Sequence, residues 1–447
     1  MSLFSGAGIG DVGFRAAGIR FLAMVEIDPP RADLCRANFP EADVRAEDVH
    51  AVARDPASRV RRRGRVEDAL FLVTCTAPCQ GMSKSGQGKL LSLIRKGQRP
   101  SLDPRNRLVL PALRVIARLK PKWAVFENVV EMRSTTIEDA RGRLRPILEV
   151  IRCALQPLGY CGEAYDVECA DFGVPQRRRR LITVYTRDPV AKAAFRSGAS
   201  LIPRPTHSRR GGRDLLPWVS VSEALWGFPR LDAQDSRSAT CDDVPLHRVP
   251  VLDAKKYSWV RHTPPGASAF DNQCVNPKCR FGENAPHGSR RGRDGVNRAA
   301  KTTPLHCERC GELLPRPYTE LPDGSRRLMS GYTSAYKRMA ADLPAPTLTR
   351  NLSYPCSDHK VHPFENRVLS LAEAIRLHTL DRYDYEWGDA PDSLIRLVLG
   401  ESVPPAFLHK LGAHLASLSY GGQRTRALNP SRGPRTMRRH GRVAVGH

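Results

Sequence analysis

The sequence predicts an α/β protein with a doubly wound, mostly parallel sheet and a smaller, irregular second domain. Three observations carry this. Strand-like and helix-like segments alternate through the first 186 residues, the chemically distinctive residues fall where those strands end, and the alternation breaks after Thr186 and returns only near the end of the chain. Such alternation brings ligands to the carboxyl ends of the strands.

Taken in order, "FLAMVEID" reads as a strand, "PPRADLCRANFP" as a helix and "DALFLVTC" as a strand. "RNRLVLPALRVIARLK" has the spacing of a long amphipathic helix, and "KWAVFENV" follows as a strand. "RGRLRPILEVIRCALQPLG" reads as a helix over its whole length, and "RRLITVYT" as the next strand. Residues 1–186 are therefore expected to form one catalytic and ligand-binding domain. Residues 187–345, rich in Pro, Gly and Arg, are expected to form a second domain or a large insertion, and 346–420, with "SLAEAIRLHTL" and "PDSLIRLVLGESVPPAFLHKLGAHLASL", to return to the first. Residues 421–447 hold seven arginines and no acid, which predicts a disordered basic tail.

Composition excludes several classes. No apolar run approaches the ~20 residues that span a bilayer, and "MSLFSGAGIG" lacks the features of a signal peptide. A cytoplasmic protein is expected, in which twelve cysteines stay reduced rather than forming a disulfide framework. With 71 Lys and Arg against 46 Asp and Glu, the formal charge is +25, which suits a polyanionic partner but equally a solubility adaptation.

The candidate site residues lie at strand ends. "FSGAGIGD" places Gly6, Gly8 and Gly10 in a turn where the backbone can approach a ligand closely. Glu26 of "VEID" stands where an acid accepts hydrogen bonds from a ribose, and Asp48 of "AEDVH" could meet an adenine amino group. Together they suggest a nucleoside-containing cofactor. "TAPCQGMSK" sets Cys79 after another strand, followed by a loop carrying Lys84, Lys89, Arg95, Lys96 and Arg99. No second cysteine stands near it at metal spacing, so the thiol is either inert filler or a nucleophile. Glu127 in "FENV" is a proton donor if burial raises its pKa, and otherwise a cap or ion-pair partner. "PQRRRRL" supplies Gln176 and four arginines, of which Arg178 and Arg180 share a strand face.

These motifs carry a resemblance. "FSGAGIGD", "VEID", "APCQGMS", "DPRNRL…KPKWAVFENV", "PQRRRRL", "HPFENRVLSLAEAIRL" and "GESVPP" occur in the order and spacing of the DNA cytosine-5 methyltransferases, over residues 1–186 and about 345–415. The resemblance implies the S-adenosylmethionine-dependent methyltransferase fold and methyl transfer to C5 of a cytosine flipped out of double-stranded DNA. It implies that Cys79 is the nucleophile at C6, that Glu127 engages N3 and the exocyclic amine, and that Arg180, with Arg178 less directly, holds O2. Cofactor contacts carried over are Phe4 stacking on adenine, the backbone of Gly6, Ala7 and Gly8, Glu26 at the ribose, Ile27, Asp48 and Val49 at adenine, Pro78 and Ser402. It also implies a target-recognition role for residues 187–345, with Arg290, Arg291 and Arg293 as DNA contacts, a restriction–modification or phage-defence setting, and a monomer. The sequence departs from the family pattern at Glu401, where asparagine is usual, in "RLHTLD" for the usual R-L-Q-G-F-P, and ahead of Phe4, where an upstream start codon is expected. The rival readings are an RNA cytosine methyltransferase on the same core and a DNA-binding protein that keeps the fold without turnover.

Within the irregular stretch, "CVNPKC" and "CERC" give Cys274, Cys279, Cys307 and Cys310 in a C-x4-C…C-x2-C arrangement. Two such pairs around a Gly/Arg-rich loop predict a structural Zn²⁺ site in a subdomain spanning 272–313, with His287 and His306 as alternative ligands.

Overall fold

The computed structural model describes residues 1–62, 65–66, 70–78, 82, 103–291, 297–300, 302–329, 335–357 and 359–421. Its central sheet has seven strands: β1 (Ser2–Leu3), β2 (Ala23–Glu26), β3 (Asp43–Ala46), β4 (Leu72–Cys75), β5 (Trp123–Asn128), β6 (Cys161–Glu168) and β7 (Arg179–Thr186). Their order is β6-β7-β5-β4-β1-β2-β3. β3, β2, β1, β4 and β5 run parallel, and β7 and β6 close the edge as antiparallel neighbours. This is the doubly wound α/β arrangement expected from the alternating segments.

Helices cover both faces. On one side α1 (Asp11–Ala16), α2 (Pro29–Asn38) and the C-terminal helix Pro405–Tyr420 bury Phe14, Leu34, Phe407 and Leu411 against Met24 and Val125 of the sheet. On the other side α3 (Val109–Leu119) and α4 (Ile147–Leu155) bury Ile116 and Ile151 against Val73 and Phe126. Local sequence sets the ends of these helices. Asp28 accepts a hydrogen bond from the Arg31 amide and two prolines occupy the first turn of α2. α3 stops at Lys120, which adopts a left-handed conformation (φ 46°).

One element differs from expectation. The stretch before α4 is not helical: Leu144–Pro146 pairs antiparallel with Thr136–Glu138 as a small hairpin, and helix starts only at Ile147. Pro146 explains the boundary. Its fixed φ and missing N–H are tolerated at the start of a helix but would break one running through it. The sequence reading also passed over β6, whose partly exposed residues show no clean apolar alternation.

A separate apolar cluster, built on Trp259, Phe270, Tyr336, Val361 and Val368, lies in the later half of the chain. From there the chain rejoins the sheet. The indole N–H of Trp123 on β5 donates to Ser419 Oγ at 2.8 Å, tying the C-terminal helix to the centre of the first half. Among the described residues no helix is long and apolar enough to cross a membrane. The basic tail lies outside the described residues, apart from Gly421.

Candidate active site

The turn after β1 is held by backbone conformation and by one carboxylate. Phe4 and Gly6 both have positive φ, 60° and 55°. The left-handed conformation costs a non-glycine residue about 1–2 kcal/mol, so Phe4 must be held in place. Its carbonyl accepts the Thr76 hydroxyl at 2.7 Å. Glu26, at the end of β2, accepts the Gly6 amide at 2.8 Å and the Asp28 amide at 3.0 Å. Gly8 is a packing requirement, because a Cβ there would stand 2.6 Å from the Phe39 ring.

These strand ends enclose a cavity of about 330 Å³. Phe4, Gly6, Ala7, Glu26, Ile27, Pro78 and Ser402 line it, together with Glu127 and Arg180. Gly8, Asp48, Val49 and Arg178 do not. The exposed Asp48 carboxylate accepts the His50 amide at 2.8 Å, capping a short helix, while Val49 is buried. Two features of the cavity suit a nucleoside-bearing ligand. Ile27 keeps 66% of its surface exposed at the rim, an apolar face that a flat ring would cover. Thr74 Oγ1 is buried in the lining without a hydrogen-bond partner among the described residues. Arg31 of α2 and Glu401 meet across the same cavity at 2.9 Å, so the residue that replaces the usual asparagine is held by an ion pair.

The chemical end of the cavity lies between β5 and β7. Glu127 and Arg180 are diagonal neighbours on these strands, and their side chains meet at 2.8 Å. Burial pushes the Glu127 carboxyl above its usual range, and the opposing pull of Arg180 and Arg178 does not cancel it. Arg178, two residues from Arg180, turns into the protein interior. It is fully buried and donates to the carbonyls of Leu348 at 3.0 Å and Gly400 at 2.9 Å. Asn128 donates to the Ala77 carbonyl at 3.0 Å, which fixes the chain just ahead of Pro78. Cys79 itself, with most of its cationic loop, lies outside the described residues. Among the described thiols, Cys75 and Cys169 are poor nucleophiles, since burial pushes both up to about 12.

Cys274, Cys279, Cys307 and Cys310 converge far along the chain, with all four sulfurs within 4.8 Å of one another. The Cys274–Cys310 and Cys279–Cys307 sulfurs are 3.7 and 3.8 Å apart. A tetrahedron with Zn–S bonds of ~2.3 Å has edges of ~3.8 Å, so the spacing suits one four-coordinate ion. The cluster could thus hold a metal. His287 instead bonds Thr303 through Nδ1 at 2.8 Å and stacks on Phe270. Arg290 and Arg291 sit in a small hairpin strand, their side chains and Arg293 lying outside the described residues.

Sequence reasoning missed Arg31 and Asn128. Asn128 follows Glu127 in "FENV" as a side chain with both donor and acceptor at a strand end. Arg31 reaches the site through its contact with Glu401, far away in sequence.

Family comparison decides the class. The family model described as C-5 cytosine-specific DNA methylase matches residues 1–417. The chain belongs to that family. Among individual proteins, the chain is 25% identical over 429 residues to the Type II methyltransferase M1.HgaI of Avibacterium volantium, covering 92% of this chain and 96% of that protein. It is 33% identical over 245 residues to the Type II methyltransferase M.AquIA of Picosynechococcus sp., covering 51% and 88%. A solved E. coli structure, described as a candidate DNA modification methyltransferase encoded within a prophage, covers 93% of this chain and 98% of its own with a TM-score of 0.51 at 20% identity, a likeness of fold.

Proposed function

We propose that this C-5 methylase transfers a methyl group from S-adenosylmethionine to a cytosine flipped from a specific sequence in double-stranded DNA, through a covalent adduct on Cys79. The observation that carries the reading is the buried Glu127–Arg180 pair, open to the same cavity as Phe4, Glu26 and Ile27. It sets a proton donor and a cation beside a nucleoside-sized pocket.

C5 of cytosine is a weak nucleophile. Addition of the Cys79 thiolate at C6 pushes electron density to C5, and protonated Glu127 gives its proton to N3 to neutralise the charge that develops. Arg180 fixes the base oxygen and holds the Glu127 carboxyl in position. The cofactor supplies an electrophilic methyl group; Phe4 and Ile27 would hold its adenine, Glu26 its ribose, and Ser402 its amino-acid end. Solvent water then takes the C5 proton, the freed electron pair expels the Cys79 thiolate, and N3 returns its proton to Glu127, restoring both ring and enzyme.

Residues 187–345 serve as the target-recognition domain in this reading, with a structural Zn²⁺ on the four cysteines bracing its Arg-bearing hairpin. The setting is restriction–modification or phage defence, as the names of the Type II relatives suggest. The test is covalent trapping. Incubated with S-adenosylmethionine and mixed-sequence duplex DNA containing 5-fluorocytosine, the protein should form a denaturation-resistant adduct mapping to Cys79, because fluorine at C5 cannot leave as a proton does. Cys79→Ser should bind cofactor and form no adduct. An adduct with Cys79→Ser, or one formed with RNA alone, would overturn the reading.

A further inference from the structure

Behind the cavity, Gln176, His378 and Ser402 form a chain of side chains that the mechanism above does not use. Gln176 and His378 are fully buried. The Gln176 carbonyl Oε1 accepts the Leu348 amide at 3.1 Å, so its Nε2 amide group faces His378 Nδ1 at 3.3 Å. An amide nitrogen only donates, and Nδ1 must therefore accept. The imidazole proton then sits on Nε2, which donates to Ser402 Oγ at 2.9 Å. Burial, reinforced by the nearby Arg178 and Arg180 cations, keeps this histidine neutral by lowering its pKa well below the usual value.

The consequence falls on Ser402, which lines the cofactor cavity. With a donor fixed on its oxygen, the Ser402 hydroxyl must direct its own hydrogen elsewhere. The acceptor present is the Leu399 carbonyl at 3.3 Å, a long contact for an O–H donor. We propose that His378 is a positioning residue that turns the Ser402 hydroxyl hydrogen away from the imidazole, so that it can leave the long Leu399 contact and donate into the cavity, onto the carboxylate of the cofactor's methionyl part. The inference rests on the S-adenosylmethionine reading of that cavity. It gives a role to the place where "RLHTLD" departs from the family's usual glutamine: either side chain can present an N–H to Ser402, and leucine or alanine cannot.

The experiment compares three ligands by titration calorimetry on the full-length protein: S-adenosylmethionine, S-adenosylhomocysteine, and 5′-methylthioadenosine, which lacks the amino-acid tail. A hydrogen bond to a charged group, at ~1.5–3 kcal/mol, corresponds to a ~10–100-fold loss of affinity. His378→Leu and Ser402→Ala should each weaken the first two ligands by up to that factor while methylthioadenosine binds as before. The double variant should be no worse than Ser402→Ala, and His378→Gln should stay within about threefold of the native protein. Equal weakening of methylthioadenosine, additive effects in the double variant, or failure of His378→Gln to restore binding would overturn the proposal. If His378→Leu does not fold, His378→Ala against the three ligands replaces it, with the same expected and contradicting outcomes. Native protein that binds none of the three would overturn the cofactor reading itself, whereas native binding with tail-independent losses would overturn only the role of His378.

Discussion

Glu127 and Arg180 stand 2.8 Å apart on neighbouring strands, their side chains only 12% and 11% exposed. The pair is a balance between two forces. Burial favours a neutral carboxyl, the guanidinium favours an ionised one, and burial prevails. The carboxyl is therefore easier to protonate than an exposed glutamate.

Replacing Glu127 with glutamine removes that proton donor while keeping size and polarity. Methyl transfer should fall by ~10²–10⁴-fold with DNA and cofactor binding largely intact. The pH dependence should follow the sign of the shift. The active, protonated form is present below the native pKa of Glu127 and is lost as pH rises through it, so the native rate should decline on the alkaline side. Stopped-time assays across pH should show that decline, and the Gln variant should lack it.

The four-cysteine cluster makes a prediction about composition. Purified protein should carry about one equivalent of zinc by elemental analysis, and Cys307→Ser, which removes a buried ligand, should lose it. The connecting loop has little apolar content, so metal binding would supply much of its folding free energy. Chelation should weaken specific DNA binding and leave cofactor binding unchanged, because the cavity lies between strands of the sheet. Active protein free of zinc would refute this.

The motif "HPFENRVLSLAEAIRL" makes a prediction about stability. Arg367 and Glu373 within it are both fully buried and form two hydrogen bonds of 2.7 Å, and Glu373 also accepts the Ser370 amide at 2.8 Å. Burial opposes ionisation of Glu373, yet these bonds outweigh it and hold the carboxyl below its usual range. Its contribution is therefore present above the unfolded pKa, ~4.3, and lost as pH falls through the lower native value. Glu373→Ala should destabilise the protein by ~1–3 kcal/mol at neutral pH, since it removes two charge-assisted bonds and leaves Arg367 paired with Glu365 alone, at 2.8 Å. Denaturant titrations at pH 7 and pH 3 should show the difference between native and variant shrinking in acid.

Much of this site was legible in the sequence because its parts obey local rules. Glu26 and Glu127 stand at strand ends, the glycine turn follows a strand, and the cysteine pairs carry their own spacing. Arg178 and Arg180 show where such rules stop. Strand alternation puts both on one face, yet Arg180 reaches the cavity while Arg178 is taken up by the carbonyls of Leu348 and Gly400. That outcome depends on chain segments that return more than 150 residues later. The same limit hid Arg31, whose partner Glu401 is brought to it by the last helices, and the contacts of His378 with Gln176 and Ser402, although "RLHTLD" marked its position. The hairpin at Leu144–Pro146 was missed for a simpler reason: a proline was read through rather than as a helix start.

The most direct test of the whole account is to express the protein in cells lacking cytosine methylation and map 5-methylcytosine in their DNA. The account predicts 5-methylcytosine at one defined sequence context, abolished by Cys79→Ser. Intact, folded protein that leaves the DNA unmethylated, or methylation that persists in the Cys79→Ser variant, would contradict it.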